Sequence, residues 1–320
     1  MKYCYYVFIF LITSCSISDT KPVLPTYTGA INEAVIVMDD HYWDQLPGDS
    51  IRKYLSTPVM GISWTEPSLN LIQISKKAFS RIFRTHRNLL LIEKGEVSKF
   101  VSGTNLYSQG QYFSKIIFKS NEDLLAMLSE YLPVVLYDIQ NKEKKRLKSK
   151  MFFNKSFDPV FRKHGYSLDI PKEFTLAYDQ TNFSWFEYSP KDKELISGVL
   201  MYQLPFSAWP SSTSLLKHRN DSLKKYVTGE QEGSYMALEP AYQPYIRYLD
   251  DDLQSLQIKS LWKMENAFMG GASISNYVVD STKQSVMVFE TFLFNPGSNK
   301  RNDLQYLEVI LDSAKKKNLN

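Results

Sequence analysis

Hydrophobic and polar residues alternate along this chain in two textures. Ala34-Val35-Ile36-Val37-Met38 is an unbroken apolar run between Glu33 and the pair Asp39-Asp40, the pattern of a buried strand. Leu69 to Ile74 looks like a strand, and Leu89 to Ile92 is another buried one. Between these runs Pro47-Gly48-Asp49 predicts a turn into a short helix over Ser50 to Leu55, and Ser75 is placed to cap a helix carrying Phe79, Ile82 and Phe83. Strands are expected from about Lys99 to Phe118, folding back near Gly110. Ser120 and Asp123 have the spacing of a capping box, and Leu124, Leu125, Met127, Leu128, Tyr131 and Leu132 follow at helical period. A long central helix is expected from there, with Pro133 as a kink and the basic run Lys142 to Lys150 as a solvated face or a contact for anionic lipid or an acidic partner.

From Tyr166 the chain becomes rich in aromatic and β-branched residues, with strands expected over Phe174 to Tyr178, Phe183 to Tyr188 and Gly198 to Leu204. A helix over Ser212 to Val227 follows, stopped at Gly229. Further strands are expected at Tyr245 to Leu249, Ser255 to Met264, Ser273 to Val279 and Ser285 to Phe294. Asp303 opens a last amphipathic helix, and Lys315 to Lys317 suit its C-terminal dipole. The pattern predicts an α+β protein of two α/β-type halves, with mixed to antiparallel sheets and helices packed on their faces. The N-terminal half is expected over 31–165 and the strand-rich C-terminal half over 166–320.

The first thirty residues read differently. Lys2, the apolar run Tyr5 to Leu11 and the small residues Thr13 and Ser14 ahead of Cys15 have the layout of a secretory signal. The run is too short to span a bilayer. Residues 1–14 are expected to be a signal peptide, Cys15 the lipidated first residue of the mature chain, and 15–30 a tether containing Pro22 and Pro25. Cys4 and Cys15 are the two cysteines of the chain. Processing would therefore leave no thiol for a disulfide, a nucleophile or a metal site.

The formal charge of +4 is too small to point to nucleic acid. No Gly-x-x-x-x-Gly-Lys, Gly-x-Gly-x-x-Gly or Gly-x-Ser-x-Gly is present, and the histidines lack zinc spacing. No catalytic residue, metal or cofactor is assigned. Asp39 and Asp40 follow a buried strand, where ligands of α/β sheets often lie, or else lead out of it as a turn or helix cap. Arg84, His86 and Arg87 suit a carboxylate or phosphate, or else pair with nearby acids. Gly270 and Gly271 follow two bulky residues, as a turn or bulge or as a backbone loop able to cradle an anion.

Several segments resemble one family. These are Ile31 to Asp40, Arg84-Thr85-His86-Arg87-Asn88, Tyr226-Val227-Thr228-Gly229 with Gly233-Ser234-Tyr235-Met236, Leu261 to Asn266 with Phe268-Met269-Gly270-Gly271, and Lys300-Arg301 to Ser313. The family is that of Bacteroidota lipoproteins known as domain of unknown function 4837. The resemblance implies one contiguous unit over nearly the whole mature chain and a place in the cell envelope; it brings no activity. The anchor, the aromatic body and the missing catalytic motif together lead to a non-catalytic binding or assembly module. Such a module is expected to be held to a membrane by lipid, facing the periplasm from the outer membrane, with another envelope protein as its partner and no nucleic acid. The alternative is a periplasmic hydrolase or small-anion receptor built on Asp39, Asp40, Arg84, His86 and Arg87.

Overall fold

The computed structural model describes residues 23–317 apart from 251 and 253. The expected signal peptide, Cys15 and the start of the tether lie outside the described residues.

Strand β1 (Glu33–Val37) and its neighbours β2 (Asn70–Ile74) and β3 (Asn88–Lys94) run parallel, as does β5 (Tyr112–Phe118) beside β3. Only β4 (Lys99–Thr104) is antiparallel, returning against β5 as a hairpin, and the sheet order is β2-β1-β3-β5-β4. The long apolar runs of β1 and β3 follow from this position, because a central parallel strand is covered on both faces. One face packs on α2 (Leu46–Leu55) and α4 (Asn121–Lys148), burying Ile51, Leu55, Leu128 and Ile139 against Ile36 and Leu90. The other packs on Phe79, Phe83 and Tyr107. The short helices α1 (Asp40–Trp43) and α3 (Arg81–Arg84) connect strands on the two sides.

Two local expectations change here. Pro47-Gly48-Asp49 lies inside α2 rather than before it, because proline is tolerated in the first helical turn, where backbone N–H groups have no helical partner. Ser75 caps no helix; Ser80 precedes α3, whose single turn is held by packing of Phe83 rather than by propensity. The long helix α4 forms as expected, with Ser120 accepting from the Asp123 amide and the Asp123 carboxylate accepting in return from the Ser120 amide. It runs through Pro133 without interruption.

After α5 (Asp158–His164) and β6 (Tyr166–Ser167), the second half is one large antiparallel sheet. Its path is β10 (Tyr235–Leu238), β12 (Ser255–Glu265), β13 (Gly270–Asp280), β14 (Ser285–Phe294), β9 (Ile196–Pro205), β8 (Phe183–Tyr188) and β7 (Thr175–Gln180), with β11 (Tyr245–Tyr248) also on β12. β14 is central and its period of two divides the core. Met287, Phe289 and Leu293 join the layer under α7 (Arg301–Leu311), while Val286, Val288 and Phe292 join the layer under α6 (Ser212–Tyr226). Lys315 and Lys316 form β15, paired with β6, instead of extending the charge pattern of α7. Helix α7 is where the halves meet: it buries Leu307 and Ile310 in the second core, and its Glu308 faces Lys144 of α4.

Candidate functional site

The five polar residues singled out near the first sheet do not converge. Val35 pairs with Leu89 in parallel register, so Asp39 lies level with Glu93 and Arg87 level with Glu33. At about 3.3 Å per residue the acids and the basic residues are separated by roughly 20 Å, at opposite ends of the sheet. Asp39 stands before α1 with its side chain uninvolved in capping, and Asp40 accepts from Gln73 Nε2 at 2.8 Å. Arg84 lies over the rings of Phe79 and Tyr107 at 5.6 and 5.8 Å. The expected Asp–Arg–His cluster is therefore corrected: parallel pairing carries the two groups apart.

His86 and Arg87 instead belong to a buried structural network. His86 Nε2 is 2.7 Å from Glu33 Oε1, and Arg87 Nε is 3.3 Å from Glu143 Oε1. Arg146 Nη1 donates to Asn88 Oδ1 at 3.0 Å and Nη2 donates to the carbonyl oxygens of Arg87 and Gly110, each at 2.8 Å. Burial works against the Glu33 carboxylate, yet the His86 hydrogen bond holds its pKa below the usual value. Tyr27 lies under both guanidinium groups, at 4.9 Å from Arg87 and 4.8 Å from Arg146. The end of the expected tether is thus docked on the body. Gly29 is required there, since a Cβ would lie 2.2 Å from His86 Nε2 and φ is +96°.

Half of the basic run of α4 is likewise taken up in structural contacts. Arg146 joins the network above, Lys144 pairs with Glu308 and Asp312 at 3.1 and 2.9 Å, and Lys148 pairs with Asp169 at 2.9 Å. Lys145 and Lys150 stay exposed, and among the described residues neither they nor Lys142 has an ion-pair partner.

A serine, a histidine and an aspartate do meet in the second half, but with the wrong polarity for nucleophilic catalysis. Ser184 Oγ donates to Asp179 Oδ1 at 2.6 Å, so His164 Nε2, 2.7 Å away, is the donor to Oγ rather than its base. Both His164 and Ser184 are buried. Burial, with Lys163 adding to it, pushes the His164 pKa down to about 4. Among the described residues no group of three or more potential metal ligands gathers.

An open concave feature lies around the hairpin of β12 and β13, with a volume of about 600 Å³. Gly270 and Gly271 sit here, in the strand and not in a loop: they pair with Lys263 and Trp262, and neither has positive φ. Close approach is the reason for glycine. A Cβ on Gly271 would lie 1.9 Å from the Leu293 carbonyl oxygen, and one on Gly270 would lie 2.8 Å from that of Trp262. The anion-cradling loop is therefore replaced by tightly packed strands. Trp262 forms the buried floor and donates Nε1–H to the Leu293 carbonyl oxygen at 3.3 Å.

One wall is the loop carrying Trp64. Val59 N–H donates to the Glu66 carbonyl oxygen at 2.9 Å, which closes the loop, and the Glu66 carboxylate accepts from the amides of Lys300 and Arg301 at 2.7 and 3.0 Å. This fixes Trp64 beside the start of α7. Lys300 Nζ lies 3.3 Å from the Trp64 ring centroid and donates to the Ser298 carbonyl oxygen at 2.8 Å. Lys300 is 4% exposed, and among the described residues its ammonium has no carboxylate within ion-pair distance. Its desolvation lowers its pKa, with Glu66 and Asp303 opposing. Across the groove Phe268, at the hairpin tip, is 108% exposed and touches little of its own chain. The arrangement offers apolar surface, exposed aromatic rings and a cation in need of a counter-ion.

Trp64 carries no motif, although a tryptophan between Pro58-Val59-Met60-Gly61 and Pro67 is a signal in itself: a large ring in a turn-forming stretch has no strand or helix to bury it.

Two family models tile the chain: one described as Domain of unknown function (DUF8532) matches residues 28–152, and one described as Domain of unknown function (DUF4837) matches residues 154–313. The single unit implied by the sequence resemblance is thus covered by two models. No curated protein matches the chain. Among solved structures it is similar to the Ran-binding protein Mog1p of Saccharomyces cerevisiae, at 8% identity over 48% of this chain and 90% of that one, with a TM-score of 0.34. It is also similar to cyanobacterial PsbP from Synechocystis, at 8% identity over 52% and 91%, TM-score 0.33. LpqN, involved in cell envelope biogenesis of Mycobacterium tuberculosis, matches at 11% identity over 47% and 82%, TM-score 0.28. Likenesses this partial carry no argument about function.

Proposed function

The chain belongs to the family described as Domain of unknown function (DUF4837), and from that premise we propose that it is a lipid-anchored cell-envelope protein acting as a non-catalytic binding module. Its groove between Trp64 and Phe268 takes an extended segment of a protein partner, one apolar side chain of which lies against the aromatic walls while an adjacent carboxylate meets Lys300. The observation that carries this reading is the nearly buried Lys300 ammonium, with Glu66 and Asp303 near but no carboxylate in ion-pair contact among the described residues, in a groove flanked by a wholly exposed phenylalanine. Burying a cation costs several kcal/mol unless something pairs with it, and an acidic partner supplies the pair. Aromatic and cationic side chains in a partly desolvated pocket are also the residue types that dominate binding energy.

His86 and Arg87 are occupied in structural contacts, Asp39 and Asp40 lie at the other end of the sheet, and the Ser184–His164 pair runs in the wrong direction. The signal layout around Cys15 supports the anchor and the periplasm-facing location.

Incorporating a photo-crosslinking phenylalanine analogue at position 268 in cells should give one discrete adduct, lost when Lys300→Glu is added. An adduct pattern the same as that from exposed Val97, or one indifferent to Lys300→Glu, would overturn the reading. For the anchor, a clickable fatty acid should label the wild type and not Cys15→Ala; an unlabelled wild type would remove lipidation from the proposal.

A further inference from the structure

A second concave feature lies where the two halves meet, and its chemistry is different. Two helices line it with the same spacing. α4 contributes Tyr137, Gln140, Asn141 and Lys144, and α7 contributes Arg301, Leu304, Gln305 and Glu308. Each set is i, i+3, i+4, i+7, one face of a helix. Arg247 comes from β11 and Lys259 from β12, whose register places Tyr245 opposite Lys259. The cavity has a volume of about 250 Å³.

Positive charge is in excess here. Lys144, Arg247, Lys259 and Arg301 face a single lining carboxylate, Glu308. That carboxylate is shared between Lys144 Nζ at 3.1 Å and Lys259 Nζ at 2.5 Å, and Lys144 also meets Asp312 at 2.9 Å, so the unpaired positive charge rests on the two arginines. The arginines are held by neutral acceptors only: Arg247 Nη2 donates to Gln257 Oε1 at 3.3 Å, and Arg301 Nη1 to the Pro67 carbonyl oxygen at 2.7 Å and Asn70 Oδ1 at 3.2 Å. Among the described residues neither guanidinium has a carboxylate partner. Guanidinium groups are pre-shaped for two parallel hydrogen bonds to an oxyanion, and the low-dielectric walls of a cleft strengthen that attraction.

We propose that this cleft is a binding site for a small soluble oxyanion carrying more than one negative charge, of the phosphate or polycarboxylate class. The two guanidinium groups without a carboxylate partner set the multiple charge. The volume sets the size, since it falls below the roughly 300 to 1,000 Å³ of pockets for drug-sized ligands. Carboxamides of Gln140 and Asn141 on the same face of α4 add neutral donors. Because α4 belongs to the first half and α7, β11 and β12 to the second, a bound anion would tie the halves together and raise the stability of both by linkage. The proposal is independent of the partner-binding groove, which uses Lys300 and none of these cations.

The test uses the full chain in detergent, titrated calorimetrically with inorganic phosphate, pyrophosphate and citrate, with thermal unfolding followed alongside. At least one of the three is expected to saturate and to raise Tm. Arg247→Ala, at an exposed edge, should weaken that binding about tenfold, whereas Arg81→Ala should leave it unchanged. No saturable binding at millimolar concentrations, or binding unaffected by Arg247→Ala, would overturn the proposal. So would binding to vesicles containing phosphatidylglycerol without any response to the three soluble anions, which would assign the charge to a membrane surface.

Discussion

Arg219 of α6 and Glu290 of β14 face each other with neither side chain exposed to solvent, Nε 3.0 Å and Nη2 2.5 Å from Oε1. Glu290 alternates with Val288 and Phe292 and so points into the apolar layer beneath α6. Tyr202 completes the arrangement by donating its hydroxyl to Glu290 Oε2 at 2.7 Å. The pair fixes how α6 sits on the sheet.

Removing one partner should therefore be far worse than removing both. Arg219→Met leaves a buried carboxylate uncompensated and is expected to cost about 3 to 5 kcal/mol of stability. Arg219→Met with Glu290→Leu should recover much of that loss. Urea unfolding of both variants checks the sign; equal losses would mean that the pair acts through shape and not charge.

Acid should destabilise the protein in two overlapping stages. His164 has its pKa pushed down to about 4 by burial, with Lys163 adding to it, against an ordinary value of 6.5. Below pH 6.5 the unfolded chain takes up a proton that the folded one refuses, so stability falls from there to about pH 4. Glu308 loses charge stabilisation by burial, but Lys259 and Lys144 outweigh that and hold its pKa at about 2 against 4.5. Its contribution is present above pH 4.5 and is lost towards pH 2. In unfolding free energy measured against pH, His164→Gln should flatten the upper stage only, and Glu308→Gln the lower only.

The glycines separate two physical causes. Gly271→Ala forces a Cβ to 1.9 Å from the Leu293 carbonyl oxygen, and strand movement should cost several kcal/mol and open the groove beside Trp262. Gly297→Ala meets nothing within 4 Å, but its φ of +71° disfavours a side chain, so about 1 kcal/mol is expected. Thermal unfolding of the two variants should rank them in that order.

Phe268→Ser should leave stability within about 0.5 kcal/mol, since the ring is exposed and packs on little. Trp262→Ala, the floor of the same groove, should cost about 3 to 5 kcal/mol. A large loss at Phe268 would show that the ring supports the fold instead of standing free of it.

Much of the element pattern is legible in the amino-acid sequence. The apolar runs at Ala34 and Leu89 are central parallel strands, the Ser120–Asp123 box starts the long helix, and the aromatic stretches after Tyr166 form an antiparallel sheet. Short elements are less legible: α3 and β10 are too brief for period to appear, and β15 exists only because β6 pairs with it. The polar residues of the first sheet mislead for a definable reason. Asp39 and Arg87 are each close to a strand end in sequence, but nothing in a single chain says which strands are parallel, and so which ends coincide.

Local pattern by itself determined what this protein is made of: buried strands, amphipathic helices, a signal-like start, and no thiol beyond residue 15. Only tertiary structure decided which charges meet. It placed Glu143 and Arg146 inward on a helix face that read as solvated, left Lys300 without a carboxylate beside Trp64, and gathered cations from α4, α7, β11 and β12 around one glutamate. Periodicity reports the environment of a residue within its own element. Partners come from register and crossing of elements distant in sequence, which no local pattern encodes.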